Sequence, residues 1–139
     1  MSSGAELHYL TIRKAGELLA CSKLSPVELT CAVLQRIEQL DGILQAYITV
    51  LADSAMAEAR RAETEILRGE YKGALHGIPI ALKDLYDTSG IRTTAGSRVM
   101  SDRIPTRDAT TTARLRGAGA ILVGKLAMHE FALGGPDVS

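Results

Sequence analysis

Glycine is unevenly placed in this chain: of its 13 glycines, 3 precede Gly69 and 10 lie from Gly69 onward. Glycine weakens helix interiors by up to about 1 kcal/mol and serves turns and close backbone approaches. The first half is therefore expected to be helical, and the second half to be built of loops and short strands. At 139 residues the chain is one domain's worth of polypeptide or a piece of a larger one. Its 46% apolar content supports a packed core and argues against disorder. Sixteen basic residues balance sixteen acidic ones, so no net field draws the chain to phosphate backbones or anionic membranes. Aromatic residues make up only 4% and Trp is absent, which also speaks against a base-stacking surface. No nucleic-acid partner and no membrane partner are expected.

Local signals divide the first half. A short helix is expected from Ile12 to Ala20. Ser25-Pro26-Val27-Glu28 is a start signal in which Ser25 caps, Pro26 suits the first helical position and Glu28 closes a capping box. Leu29, Val33, Ile37 and Leu40 then recur at helical spacing, and Asp41-Gly42 is expected to end the run. Gln45 to Leu51 reads as a strand, and Asp53 as the cap of a third helix reaching about Arg68. That helix has a face of Ala52, Ala55, Ala59, Ala62 and Ile66, whose small side chains demand a closely packed neighbour.

The second half predicts a strand over 78–83, a helix capped by Asp108 and ending near Gly117, and a strand over 120–124. Strands joined through a helix should run parallel. The fold class is thus α/β, with helices first and a strand-loop-helix-strand unit after them. Three strand candidates are few for a parallel sheet, which needs cover on both faces and partners at its edges. With the loop-like Gly134-Gly135-Pro136-Asp137-Val138-Ser139, this suggests a fragment. On its own such a piece is expected to be marginally stable or prone to associate. The cysteines, Cys21 and Cys31, read as buried reduced thiols of a cytosolic protein. Leu18-Leu19-Ala20-Cys21 looks like a lipoprotein cleavage box, but Arg13, Lys14 and Glu17 interrupt the apolar stretch that a signal sequence requires. No apolar run approaches the roughly 18 residues needed to span a bilayer.

Chemistry concentrates in Gly77-Ile78-Pro79-Ile80-Ala81-Leu82-Lys83-Asp84. Strand alternation puts Ile78, Ile80 and Leu82 on one face and Pro79, Ala81 and Lys83 on the other. Lys83 then falls at the carboxyl end of a strand, where open α/β sheets carry their functional crevice. Asp84 should point the opposite way and not neutralise it. The plain alternative is a lysine that only reaches out to solvent. A lysine base must be neutral, and bringing its pKa from about 10.4 to near 7 takes roughly 4–5 kcal/mol, supplied by burial or a nearby cation. Lys125, expected just past the next strand, is one such cation, or else a donor to a backbone carbonyl. The hydroxyls of Thr93-Thr94-Ala95-Gly96-Ser97 could serve a substrate, support a site or satisfy their own backbone. His8, His76 and His129 lack partners at metal-ligand spacing and read as structural or incidental. No metal and no cofactor are expected.

From about Leu7 to Ser139 the chain resembles the N-terminal portion of an amidase signature enzyme. The resemblance rests on Leu75-His76-Gly77-Ile78-Pro79-Ile80-Ala81-Leu82-Lys83-Asp84, Thr93-Thr94-Ala95-Gly96-Ser97, Asp108-Ala109, and Ala118-Gly119-Ala120-Ile121-Leu122-Val123-Gly124-Lys125 followed by His129-Glu130-Phe131-Ala132. It implies amide hydrolysis by a Ser, cis-Ser, Lys triad in an α/β/α fold on a mixed central sheet, with Lys83 as the catalytic lysine. Residues 1–139 would be an N-terminal fragment of a single amidase domain, helical over about 10–70 and with the lysine-bearing α/β region over about 74–139. Both serines of that family lie in a Gly/Ser-rich stretch that this chain does not contain, and Ser139 is not their equivalent. The resemblance further implies a small-molecule amide substrate and a cytoplasmic protein, and leaves a homo-oligomer of the complete protein open.

The glutamyl-tRNA amidotransferase A subunit of that family typically carries Lys-Asp-Asn and Lys-Thr-Asn-Met-Asp-Glu. Here Leu85-Tyr86 follows Asp84, and the second pattern reads Lys125-Leu126-Ala127-Met128-His129-Glu130. Both departures favour a stand-alone amidase over that subunit. A non-catalytic remnant is a third reading, separated from the enzyme by whether the reading frame continues into a Gly/Ser-rich loop. A nucleotide-binding module is disfavoured because neither GxGxxG nor GxxxxGK[ST] is present.

Overall fold

Thr11 opens the first helix: its backbone is extended and its side-chain oxygen accepts from Lys14 N at 3.2 Å, satisfying one of the free N–H groups of the first turn. The computed structural model describes residues 7–134 and places this helix, α1, at Ile12–Ala20, as expected. Helix α2, Pro26–Leu44, begins on the complete capping box, with Ser25 Oγ accepting from Val27 N and the Glu28 carboxylate accepting from Ser25 N. It overruns the expected Asp41-Gly42 stop. Asp41 Oδ1 accepts from Ala46 N at 2.7 Å and Tyr47 N at 3.1 Å, and Gln45 adopts the left-handed conformation. Asp41 therefore closes the turn beyond the helix instead of ending the helix itself.

Strand β1, Tyr47–Val50, lies within the expected span. Helix α3, Ala52–Leu67, starts two residues earlier than a cap at Asp53 would allow, so Asp53 sits in its first turn and Leu51 takes the cap position without a side-chain bond. Asp53 there complements the positive end of the helix dipole. Ala55, Ala59, Ala62 and Ile66 are buried as expected, whereas Ala52 is exposed. The alanine face lets α3 lie close on the sheet, where Ile121 and Val123 pack against it together with Val33, Leu34 and Ile37 of α2. A second cluster joins Leu19, Leu24, Leu29, Ile66 and Ile78.

Strand β2, Pro79–Lys83, helix α4, Thr110–Gly117, and strand β3, Ile121–Leu126, form the expected unit. β2 runs parallel to β3, and β1 runs antiparallel to it from the other side, giving a mixed sheet of order β1-β3-β2. Both outer strands carry an unpaired edge among the described residues. Asp108 does not cap α4: Ala109 does, and Asp108 instead accepts from Ser89 N at 2.7 Å and pairs with Arg116 at 3.1 Å. The expected terminal loop over 135–139 lies outside the described residues. Among the described residues no helix is long and apolar enough to cross a membrane.

Two glycines let these elements approach one another. A Cβ on Gly124 would stand 2.5 Å from Thr49 O, so β1 reaches β3 only over a bare backbone. Gly119 has φ +82°, and a Cβ there would land on the ring of buried His76. Gly119→Ala is expected to cost about 2–4 kcal/mol, the sum of a left-handed backbone strain and overpacking against a buried ring. Gly117→Ala, where nothing lies within 4 Å, provides the contrast. Denaturant melts of the two variants check this, and equal stabilities would refute it.

Candidate active site at the carboxyl end of β2

The last residue of β2, Lys83, is exposed, and among the described residues its ammonium has no ion pair and no hydrogen bond to a side chain. Its neighbour Asp84 is completely buried. Alternation along the strand explains the contrast, since consecutive side chains leave opposite faces. The loop after β2 folds back over the Asp84 side, where Asp84 Oδ2 accepts from Thr94 N at 2.9 Å and from Thr94 Oγ1 at 2.6 Å.

Lys125 meets Asp84 there. It lies within β3, not beyond it, and is fully buried, with Nζ 3.2 Å from Asp84 Oδ1. That contact is off the hydrogen-bond direction, and Asp84 Oδ1 has no aligned donor among the described residues. The Lys125 ammonium donates to Thr93 Oγ1 at 2.7 Å and to Tyr86 O at 3.0 Å, the carbonyl bond that the sequence held open. Burial pulls the Lys125 amine below its ordinary pKa, and Asp84 opposes that shift. Because Asp84 cancels much of its charge, Lys125 is a weak source of positive field for Lys83.

Sequence inspection missed this pairing for a geometric reason. Simple alternation through β3 would put Lys125 on the face of Ile121 and Val123. The register shifts between Ile80 and Ala81, so that Leu122 lies opposite Ile80 and Gly124 opposite Ala81. Val123 is the extra residue, and beyond it Lys125 lies opposite Leu82, on the side to which Asp84 also points. The hydroxyl loop is likewise spent internally: Ser97 Oγ donates to Glu130 Oε1 at 2.6 Å and caps the turn at Val99.

Two grooves lie away from Lys83. One, of about 530 Å³, runs beside Cys31, Leu34, Val50 and Met56, and the other, of about 380 Å³, lies by Ser25 and Glu63. Neither is lined by Lys83.

The pattern for amidases matches residues 28–136, most of the chain, including β2, the hydroxyl loop and β3. The chain belongs to the amidase family. The A subunit of glutamyl-tRNA(Gln) amidotransferase from Moorella thermoacetica is 47% identical over 129 residues, which is 93% of this chain and 26% of that protein. The putative amidase AmiD of Mycobacterium bovis is 45% identical over 123 residues, 88% of this chain and 26% of that protein. The X-ray structure of peptide amidase from Stenotrophomonas maltophilia superposes with a TM-score of 0.80 at 36% identity, over 86% of this chain and 25% of that one. This amidase chain thus spans about a quarter of the length of the curated relatives it matches.

The remaining candidates separate cleanly. Cys21 is exposed and Cys31 half-buried, not buried as expected: Cys21 follows α1 outside its buried Ala15, Gly16 and Leu19 stripe. His76 is buried and has a carboxylate partner that spacing did not show, because Glu65 comes from the preceding helix, at 2.9 Å from Nε2. Its Nδ1 accepts from Lys72 N, which leaves Nε2 to donate. Among the described residues no cluster of His, Cys, Asp and Glu could hold a metal ion. Beside the site, Arg103 grips Asp87 through both oxygens at 2.6 and 2.7 Å and holds its carboxyl below the usual carboxylate range.

A carboxylate whose pKa is depressed on folding stabilises the native state above its unfolded value, and that contribution fades as pH falls through the folded pKa. Asp87→Asn is therefore expected to melt below the parent protein at neutral pH, by no more than about 1 kcal/mol given the partial exposure of the pair. The two curves should converge as pH drops below 3.8, the ordinary value of this carboxyl. A gap independent of pH would refute the assignment.

Proposed function

We propose that this chain is the lysine-bearing N-terminal part of an amidase that hydrolyses a carboxylic amide to a carboxylate and ammonia or an amine. Lys83 is its base. A serine from the Gly/Ser-rich stretch of the complete protein attacks the amide carbonyl, and a cis-serine passes the released proton to the Lys83 amine. The same proton then protonates the departing nitrogen, and water hydrolyses the acyl-serine. The substrate is a small-molecule amide, the protein is cytoplasmic, and no cofactor takes part.

The observation that carries this reading is the separation of two lysines at one end of the sheet. Lys125 is buried and paired, whereas Lys83 projects from the carboxyl end of β2 and is left available. Membership of the amidase family supports the same residue. A second reading, the A subunit of a tRNA-dependent amidotransferase, is favoured by the names of several relatives at 47% identity. Leu85-Tyr86 and His129 depart from that subunit's pattern.

The test is hydrolysis of a simple aryl amide by the purified complete protein. Turnover without tRNA or further subunits supports the stand-alone enzyme, and turnover only with glutamyl-tRNA and partner subunits supports the second reading. Residues 1–139 alone are expected to show neither, because a lysine base without its serines has no nucleophile to activate.

A further inference from the structure

Three backbone groups at and just after Lys83 are held by a network that the hydrolytic step does not consume. Lys83 O accepts from Tyr86 N at 3.0 Å, Asp84 N donates to Leu126 O at 3.0 Å, and Asp84 O accepts from Ala95 N at 2.9 Å. The Asp84 carboxylate takes both donors of Thr94 and faces Lys125, whose ammonium returns to Thr93 and Tyr86. The ion pair therefore ties three segments to one point: the end of β2, the end of β3 and the loop around Thr93-Thr94. Lys83 O and Asp84 N each lie two bonds from the Lys83 Cα.

A buried ion pair is a weak source of stability, because desolvation consumes most of its attraction and an apolar pair of similar volume serves the core at least as well. Its presence at zero exposure beside the candidate base calls for another role. Charge tuning is not that role, since the two opposite charges sit at 3.2 Å and largely cancel at Lys83. Geometry remains. We infer that Asp84 and Lys125 form a positioning pair that, through Thr94, fixes the Lys83–Asp84 peptide and so aims the Lys83 amine. This inference rests on the reading of Lys83 as the base.

The experiment compares kcat, KM and the pH profile of aryl-amide hydrolysis by the complete protein and four variants: Lys83→Ala, the double variant Asp84→Asn with Lys125→Met, Thr94→Val and Thr94→Ser. The double variant removes both charges together, so no lone buried ion is left. It should lower kcat on the order of 100-fold, the loss that a misplacement of about 1 Å produces, with KM nearly unchanged. The pKa read from the kcat/KM profile should stay where it is, because a neutral pair has been exchanged for a neutral pair. Thr94→Val should lose part of the same activity and Thr94→Ser, which keeps the hydroxyl, should recover most of it.

A folded double variant with parental kcat overturns the inference. So does a kinetic pKa displaced by about one unit or more, which would make the pair a charge tuner. If the double variant fails to fold, the Thr94 pair decides, since it leaves both charges in place: equal kcat for the valine and serine variants overturns the inference. Lys83→Ala separates the two levels. Should it keep turnover, the base assignment has failed; should it be inactive while the pair variants are fully active, only the positioning role has failed.

Discussion

Lys83→Ala in the complete protein is expected to abolish amide hydrolysis and leave the fold intact. The side chain is exposed and unpaired among the described residues, so its removal should change stability by no more than about 0.5 kcal/mol. Its loss from the chemistry is of another order. A positioned base alone contributes roughly 10²–10⁴-fold, and a nucleophile that depends on it loses its activation as well. Lys83→Arg is expected to be equally inactive, because a guanidinium keeps its proton near neutral pH and cannot accept one. Initial rates on an aryl amide, with circular dichroism melts of both variants, check the pair of outcomes. A folded Lys83→Ala protein with near-parental turnover would sink the assignment.

The largest stability effect belongs to Lys125→Ala. The truncation leaves the Asp84 carboxylate buried without its counter-charge, a change that costs about 3–5 kcal/mol in comparable pairs. Thr94 still supplies two hydrogen bonds to Oδ2, but Oδ1, already without an aligned donor, would face an emptied space. Adding Asp84→Asn should recover a large part of the loss, since the amide carries no charge into that space. Urea denaturation of the two single variants and the double variant forms the thermodynamic cycle. Strict additivity of the two single effects would show that the ion pair is energetically idle.

Much of this architecture was legible because it depends on neighbours along the chain. Ser25 and Glu28 cap α2 through hydrogen bonds that reach only three residues, so their spacing carries the whole signal. The parallel pairing of β2 and β3 follows from the helix between them. The place of Lys83 at the end of β2 was legible because strand alternation and strand ends are also local properties. The same reasoning failed where two local options competed. Asp53 and Asp108 are both good caps by residue type, yet α3 begins at Ala52, and Asp108 is drawn away to Ser89 N and Arg116. Cys21 and Cys31 are apolar enough to be buried, but burial depends on which side of a helix the rest of the fold covers.

Sequence alone set where α1 and α2 begin, that two strands run parallel, and that a lysine stands at the carboxyl end of the first of them. Each is governed by backbone hydrogen bonding and side-chain periodicity within a few residues. Only the tertiary structure decided which lysine is free and which is buried. Asp84 and Lys125 meet because one extra residue in β3 shifts its register against β2, and a shift of one residue exchanges the faces of a strand. Register is settled by how the whole sheet packs on α3 and under the Thr93-Thr94 loop, and no short window of sequence contains those contacts.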